Sequence, residues 1–211
     1  MAKETNRAYE KPFTFCPCEL SHFKVLENIF HKEKYEYLLG IENVNLIVDC
    51  GAHIGAASYY LKSHYPNAAL MAFEAEEKNF QYLETNFSEA NSRGFPSAYH
   101  LVIHPFRTEV GVYCAAGTTG WKVIEGRRDI CTFPLNEIFT LGYKQIDILK
   151  ISINGGEKFL FEKNTQWIEK TRNIAVEVES NLQVILETMS QYSYEVKEKN
   201  NVIFFLNIKK H

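Results

Sequence analysis

The chain has 211 residues, 45% hydrophobic and 23% charged, the composition of an ordinary soluble globular protein with enough length for one full core. Its formal net charge of -3 and the scatter of its Lys and Arg residues argue against nucleic acid as a partner. No apolar run approaches the roughly 20 residues that span a bilayer, and residues 1–7 are polar, so no membrane partner is expected and the expected location is cytoplasmic.

The first 40 residues read as a helical lead-in, with apolar positions at helical spacing over 26–39, and residues 41–211 as the main domain. From residue 46 the pattern alternates between strand and helix. Strands are expected over 46–49 and 69–74, helices over 56–65 and 76–90, and a third strand over 98–103. A short strand over 110–113 precedes a loop rich in Gly, Thr and charge over 116–129, and a short helix begins at Leu135. The near-continuous apolar run over 146–153 suits a strand covered on both faces. Helix (157–170), strand (173–178) and helix (182–192) follow, and 194–197 and 202–208 flank Asn200-Asn201 as a terminal hairpin. This alternation predicts an α/β fold with a doubly wound, mostly parallel sheet, whose ligand sits at the carboxyl ends of the strands.

The five cysteines, Cys16, Cys18, Cys50, Cys114 and Cys131, are odd in number and irregularly spaced, which favours reduced thiols. Cys16-Pro17-Cys18 resembles half of a zinc site, but no second Cys/His pair answers it, and no metal is expected.

The first stretch with chemical content is LIVDCGAHIGAAS, where a strand runs through Asp49-Cys50 into the turn Gly51-Ala52-His53-Ile54-Gly55. Gly51 permits close backbone approach, and Gly55 lets the next helix pack tightly. A dinucleotide fingerprint needs a third glycine where this chain has His53, and a Walker A loop needs Gly-Lys-Ser/Thr, which is absent. Asp49 suits a cationic amine better than a pyrophosphate. Glu74 closes the second strand 23 positions after Gly51, where a carboxylate accepts hydrogen bonds from ribose hydroxyls. A ribose joined to an amino-acid moiety points to S-adenosylmethionine, with S-adenosylhomocysteine as its product. The bland alternative is that Asp49 and Glu74 cap the helices that follow.

The segments IFHKEKYEYL, LIVDCGAHIGAASYYLKSHYPNAALMAFEAEEKNFQYLETN, GTTGWKV, FPLNEIF and IDILKISINGGEKFLFEKNTQWIEKTRNIAVEVE, in that order, resemble the FkbM family of S-adenosylmethionine-dependent methyltransferases. The resemblance implies a seven-stranded class I methyltransferase sheet with an antiparallel last strand. It also implies a cofactor loop of Asp49, Gly51, Ala52, His53 and Gly55, with Glu74 on the ribose and Ala75 beside it, where the family favours proline. Tyr35 and Trp121 match family positions on the cofactor or substrate side, or else are aromatic packing under a loop.

Where the family reads Lys-x-Asp-x-Glu-Gly-x-Glu, this chain has Lys150, Ser152, Asn154, Gly155 and Glu157, so two carboxylates near the expected reaction centre are replaced by neutral groups. Neither Ser152 nor Asn154 acts as a base at neutral pH without a partner. The fifth strand ends Glu177-Val178-Glu179, without the His-Asp pair often found there. The candidate bases are His104, after the third strand, Glu157 and His53, each with a structural alternative, and Lys150 can pair with an acidic group, bind an acidic acceptor, or snorkel as an ordinary strand residue. The resemblance implies O-methylation of a hydroxyl on a small molecule or sugar. Two other functions stand beside it: a non-catalytic relative that keeps the fold as a cofactor-binding or assembly module, and a NAD-dependent oxidoreductase. Oligomeric state is not legible.

Overall fold

The computed structural model describes residues 13–16, 19–89, 96–114, 121–124, 129–178 and 182–211, of which 89, 113, 114 and 121–124 are described as backbone only. Seven strands form the main sheet: β1 (Leu46–Cys50), β2 (Ala69–Glu74), β3 (Ser97–His100), β8 (Ile148–Ile151), β9 (Ile174–Glu177), β10 (Tyr192–Lys199) and β11 (Val202–Lys210). Their order is β10-β11-β9-β8-β1-β2-β3, parallel from β3 through β9, with β11 antiparallel to both its neighbours. A smaller sheet of order β4-β7-β5-β6 is built from β4 (Val102–Ile103), β5 (Glu109–Cys114), β6 (Trp121–Ile124) and β7 (Ile130–Phe133).

β1 is buried along its whole length, which is why it reads as an unbroken apolar run. The two-residue period of a strand then deals its side chains to opposite faces. Val48, Cys50, Phe73, Leu149 and Ile151 join one core with Leu160 and Phe161 of α4 (Glu157–Glu162) and Ile185 and Met189 of α5 (Leu182–Met189). Ile47, Leu70, Ala72 and Ile148 join the other with Ala57 and Tyr60 of α2 (Ala56–His64) and Leu83 and Phe87 of α3 (Glu77–Glu89). Ile29, Tyr35 and Leu38 of the lead-in belong to this second core.

The lead-in is shorter and less regular than a single helix over 26–39. It consists of α1 (Leu20–Leu26), a π-helical turn (Glu27–His31) and a 3-10 turn (Glu36–Leu38). The third expected strand divides, because after His100 the chain leaves the main sheet and Val102–Ile103 pairs with β7. The strand expected to reach residue 153 ends at Ile151, and Asn154 and Gly155 turn the chain with φ of 49° and 89°. The helix expected over 157–170 breaks at Asn164, left-handed at φ 56°, whose side chain donates to the Pro105 carbonyl at 2.7 Å. A 3-10 turn (Thr165–Lys170) follows it. The terminal hairpin turns on Asn200 and Asn201, both left-handed, as a two-residue turn requires. Cys16 is disulfide-bonded, which corrects the expectation of reduced thiols for that residue; parity and spacing carry no information on distance.

The chain runs outward from β1 to β2 and β3, then returns to the opposite side of β1 as β8. The order therefore switches between β1 and β8, where the glycine turn and the Ser152 to Gly156 segment leave their strands side by side.

Candidate active site

Both glycines of the first turn are demanded by the chain's own packing. Gly51 has φ 78°, and a Cβ on it would lie 1.9 Å from the Ser152 carbonyl oxygen. The N–H groups of Gly51 and Ala52 both donate to the Phe73 carbonyl at 2.9 Å, tying the turn to β2. Gly55, at φ 88°, caps α2, and a Cβ there would meet Leu83 Cδ1 of α3 at 2.8 Å. The backbone that approaches Gly51 most closely is that of Ser152, just after β8, and Gly51 also lines the cavity.

His53 is left-handed at φ 54°, and its N–H donates to Glu74 Oε2 at 2.8 Å. The Glu76 N–H donates to Glu74 Oε1 at 2.8 Å, so the carboxylate is fixed at both oxygens while each keeps a lone pair. Burial pushes the Glu74 pKa up, and the two backbone bonds and Lys150 act against that rise.

Asp49 is fully buried and faces inward. Its Oδ2 accepts from Ser58 Oγ at 2.6 Å, and Oδ1 lies 2.9 Å from Lys150 Nζ in a buried ion pair. Lys150 also donates to the Gly51 carbonyl at 2.6 Å. Burial disfavours its ammonium, but Asp49 and Glu177 outweigh burial and the Lys150 pKa is raised.

The lead-in closes the site from above. Lys34 Nζ is 2.6 Å from Glu177 Oε2, and the Tyr35 hydroxyl donates to Glu177 Oε1. Burial favours the protonated Glu177, yet Lys34, Lys150 and the Tyr35 hydroxyl together hold its pKa below the ordinary carboxylate value. At the other end His22 of α1 accepts from the Cys16 N–H at 3.0 Å, and its Nε2 is 3.3 Å from Asn79 Oδ1. The His22 ring stands edge-on to His53 at 5.1 Å between centroids. Burial, then His22 and Lys150, lower the His53 pKa to about 4. Its Nδ1 is buried with no hydrogen-bond partner among the described residues.

These elements enclose a cavity of about 700 Å3. Of the residues singled out from sequence, Gly51, Ala52, His53, Glu74, Ala75, Lys150, Ser152, Asn154 and Tyr35 line it together. Asp49 and Gly55 lie behind the wall and shape it. His104 is outside, its Nδ1 on the backbone of Phe106. Glu157 is also outside and fully buried, where Oε2 accepts from the Gly155 N–H at 2.7 Å at the start of α4. The side chain of Trp121 lies outside the described residues. Sequence reasoning gave no role to Lys34, Glu177 and His22; a carboxylate ending the fifth strand was the only signal for any of them. Among the described residues no three His, Cys, Asp or Glu side chains are grouped to hold a metal ion, and no helix is long and apolar enough to cross a membrane.

Residues 49–198 match the methyltransferase FkbM domain. Among solved structures, a methyltransferase FkbM from Methylobacillus flagellatus KT has a TM-score of 0.58 at 15% identity, over 85% of this chain and 47% of that one. The chain thus spans about half the length of that protein. A precorrin-6y C5,15-methyltransferase from Geobacter metallireducens GS-15 has a TM-score of 0.51 at 13% identity, over 94% of this chain and 95% of that one. TrmK from M. capricolum, in complex with S-adenosylhomocysteine, has a TM-score of 0.51 at 14% identity, over 86% and 69%. Such identities establish a shared fold. A search of curated proteins finds no match. The domain match takes in well over half of the sequence, from the end of β1 to the last hairpin, and the chain belongs to the FkbM methyltransferase family.

Proposed function

We propose that the chain is an S-adenosylmethionine-dependent methyltransferase that takes its donor in the cavity and methylates an oxygen of a small molecule or sugar. The observation that carries this reading is Glu74, a carboxylate at the end of β2 fixed by two backbone N–H groups and open to the cavity. The residues present fit the donor. The volume of about 700 Å3 suits a ligand of that size. Glu74 has lone pairs for two ribose hydroxyls, and the unpartnered His53 Nδ1 offers a further polar contact. Ala75, Leu101, Val102 and Val112 give an apolar wall for the base.

The donor, when bound, supplies a methyl group on a sulfonium, so the protein has to align the acceptor and exclude water. Here α1 and the residues to Tyr35 form the wall that shields the strand ends, held by Glu177 at one end and Asn79 at the other. Ser152 and Asn154 line the floor beside Gly51 as neutral hydrogen-bonding groups for an acceptor hydroxyl. An oxygen acceptor is supported by the family resemblance and by the absence of an Asn-Pro-Pro-Tyr type amide-binding motif. The fold does not choose the atom, since the Geobacter neighbour is named for methylation at C5 and C15. The net charge of -3 supports an acceptor other than nucleic acid.

A second reading, a non-catalytic relative, is favoured by one observation. Among the described residues, each carboxylate lining the cavity is already engaged: Glu19 with Lys78, Glu76 with the N–H groups of Lys78 and Asn79, and Glu74 and Glu177 as above.

Thermal unfolding with S-adenosylmethionine, S-adenosylhomocysteine and NAD tests the donor. A ligand at a hundred times its Kd adds about 2.7 kcal/mol, which is a rise in Tm of roughly 5–10 °C for a chain of this size. Both adenosyl ligands should produce it and NAD should not; a shift with NAD alone would favour the oxidoreductase. Product formation on hydroxylated acceptors separates enzyme from binding module, and methyl incorporation into added RNA would overturn the acceptor class.

A further inference from the structure

Asp49 and Lys150 are direct neighbours in the register of β1 and β8, and the pair they form decides which sign of charge the floor of the cavity presents. Asp49 is fully buried, and its oxygens are turned to Ser58 and Lys150. The group that reaches the cavity is Lys150. The ammonium donates to the Gly51 carbonyl at 2.6 Å and lies 2.9 Å from Asp49 Oδ1 as an ion pair, and among the described residues no other acceptor bonds to it. A buried ammonium with a proton to spare at a cavity wall is a donor without an acceptor, and its strongest partner is a carboxylate.

We infer that Lys150 is the anchor for a ligand carboxylate, so that the amino-acid end of the methyl donor is held by its acid group on Lys150 and not by its amine on Asp49. This deepens the proposed function and rests on it. The Gly51 carbonyl that Lys150 holds belongs to the same turn whose His53 N–H holds Glu74, so one loop links the two ends of the ligand. Glu74 takes hydroxyls and Lys150 takes an anion. The molecule that satisfies both is a nucleoside with an acidic tail. The nearby Glu177 is already engaged by Lys34 and Tyr35 and does not compete for Lys150 by direct contact.

Calorimetry with two probes isolates Lys150: S-adenosylhomocysteine, and 5'-methylthioadenosine, which keeps the thionucleoside and lacks the amino-acid end. Because Lys150→Met alone strands a buried Asp49, the comparison is made between Asp49→Asn and the double variant Asp49→Asn with Lys150→Met. Adding Lys150→Met should weaken S-adenosylhomocysteine by about tenfold to a hundredfold, the loss of one charge-assisted hydrogen bond, and leave 5'-methylthioadenosine within about threefold. Lys150→Arg, which keeps the cation, should retain most of the preference for the longer ligand. Equal loss for both probes, or loss for neither, overturns the inference and leaves the donor site standing. Absence of S-adenosylhomocysteine binding to the wild-type chain overturns the proposed function and this inference with it.

Discussion

Tyr35 and Glu177, 142 positions apart in sequence, are joined by a hydrogen bond from a buried phenol to the carboxylate that ends β9. With the neighbouring Lys34 ion pair, this contact fixes the lead-in against the carboxyl end of the sheet. Tyr35→Phe removes one neutral donor and should cost about 1 kcal/mol. Glu177→Gln leaves a mostly buried Lys34 without its counter-ion and should cost more, about 1.5–3 kcal/mol. Urea unfolding of both variants measures the difference. Equal costs would show that Lys34 finds another partner.

The pH dependence of stability should fall in two steps on the acid side. The His53 pKa is about 4 in the fold against 6.5 for a free histidine, so as pH falls from 6.5 the unfolded chain takes up this proton first and stability declines until about pH 4. Glu177 is depressed below its ordinary 4.5, so its contribution is present above pH 4.5 and is lost as pH falls through the lower folded value. His53→Asn should flatten the upper step, and Glu177→Gln the lower one. Asparagine suits the left-handed φ of 54° at position 53, so the change tests the imidazole and not the backbone. Unfolding free energies at half-unit pH intervals would show it, and an unchanged profile in His53→Asn would place the titration elsewhere.

Gly51→Ala should be far more damaging than Gly55→Ala. Both positions are left-handed, at φ 78° and 88°, which already disfavours alanine by about 1–2 kcal/mol. At Gly51 the new methyl would also overlap the Ser152 carbonyl at 1.9 Å, and the backbone of two strands has no room to yield. At Gly55 it meets the far end of Leu83, a side chain that can turn aside. Soluble yield should fall to near zero for the first, and Tm by several degrees for the second. A well-folded Gly51→Ala would show that β8 tolerates displacement from β1.

Much of this was legible because it is local. β2 begins and ends where the apolar run 69–74 does, and the glycine turn, the Asn-Asn hairpin and the carboxylate at Glu74 each declare themselves within a few residues. What escaped depends on register. The pairing of Asp49 with Lys150 exists only when β8 docks on β1. The roles of Glu177 and His22 likewise exist only once the lead-in folds over the strand ends. The end of β8 was hidden for a different reason: Ile151 and Ile153 continue the apolar alternation past the point where Asn154 turns the chain.

That turn changes the expected result of restoring carboxylates at Ser152 and Asn154. On a continuous strand, positions two apart share a face, and two carboxylates there would raise each other's pKa toward a usable base. Here β8 ends at Ile151, and Asn154 sits at φ 49°, a conformation that asparagine tolerates and glutamate adopts at a cost of about 1–2 kcal/mol. Ser152→Asp with Asn154→Glu should therefore destabilise the chain by about 1–2 kcal/mol in urea unfolding, with most of the loss in the Asn154→Glu single variant. Affinity for S-adenosylhomocysteine should survive within about tenfold, or 1.4 kcal/mol, because neither side chain supports Glu74 or Lys150. Wild-type turnover on generic hydroxylated acceptors is expected to be weak, and Ser152→Asp alone, which keeps the turn intact, is the variant expected to raise it. Robust wild-type turnover that falls in Ser152→Asp would instead mean that the neutral pair is fitted to its own acceptor.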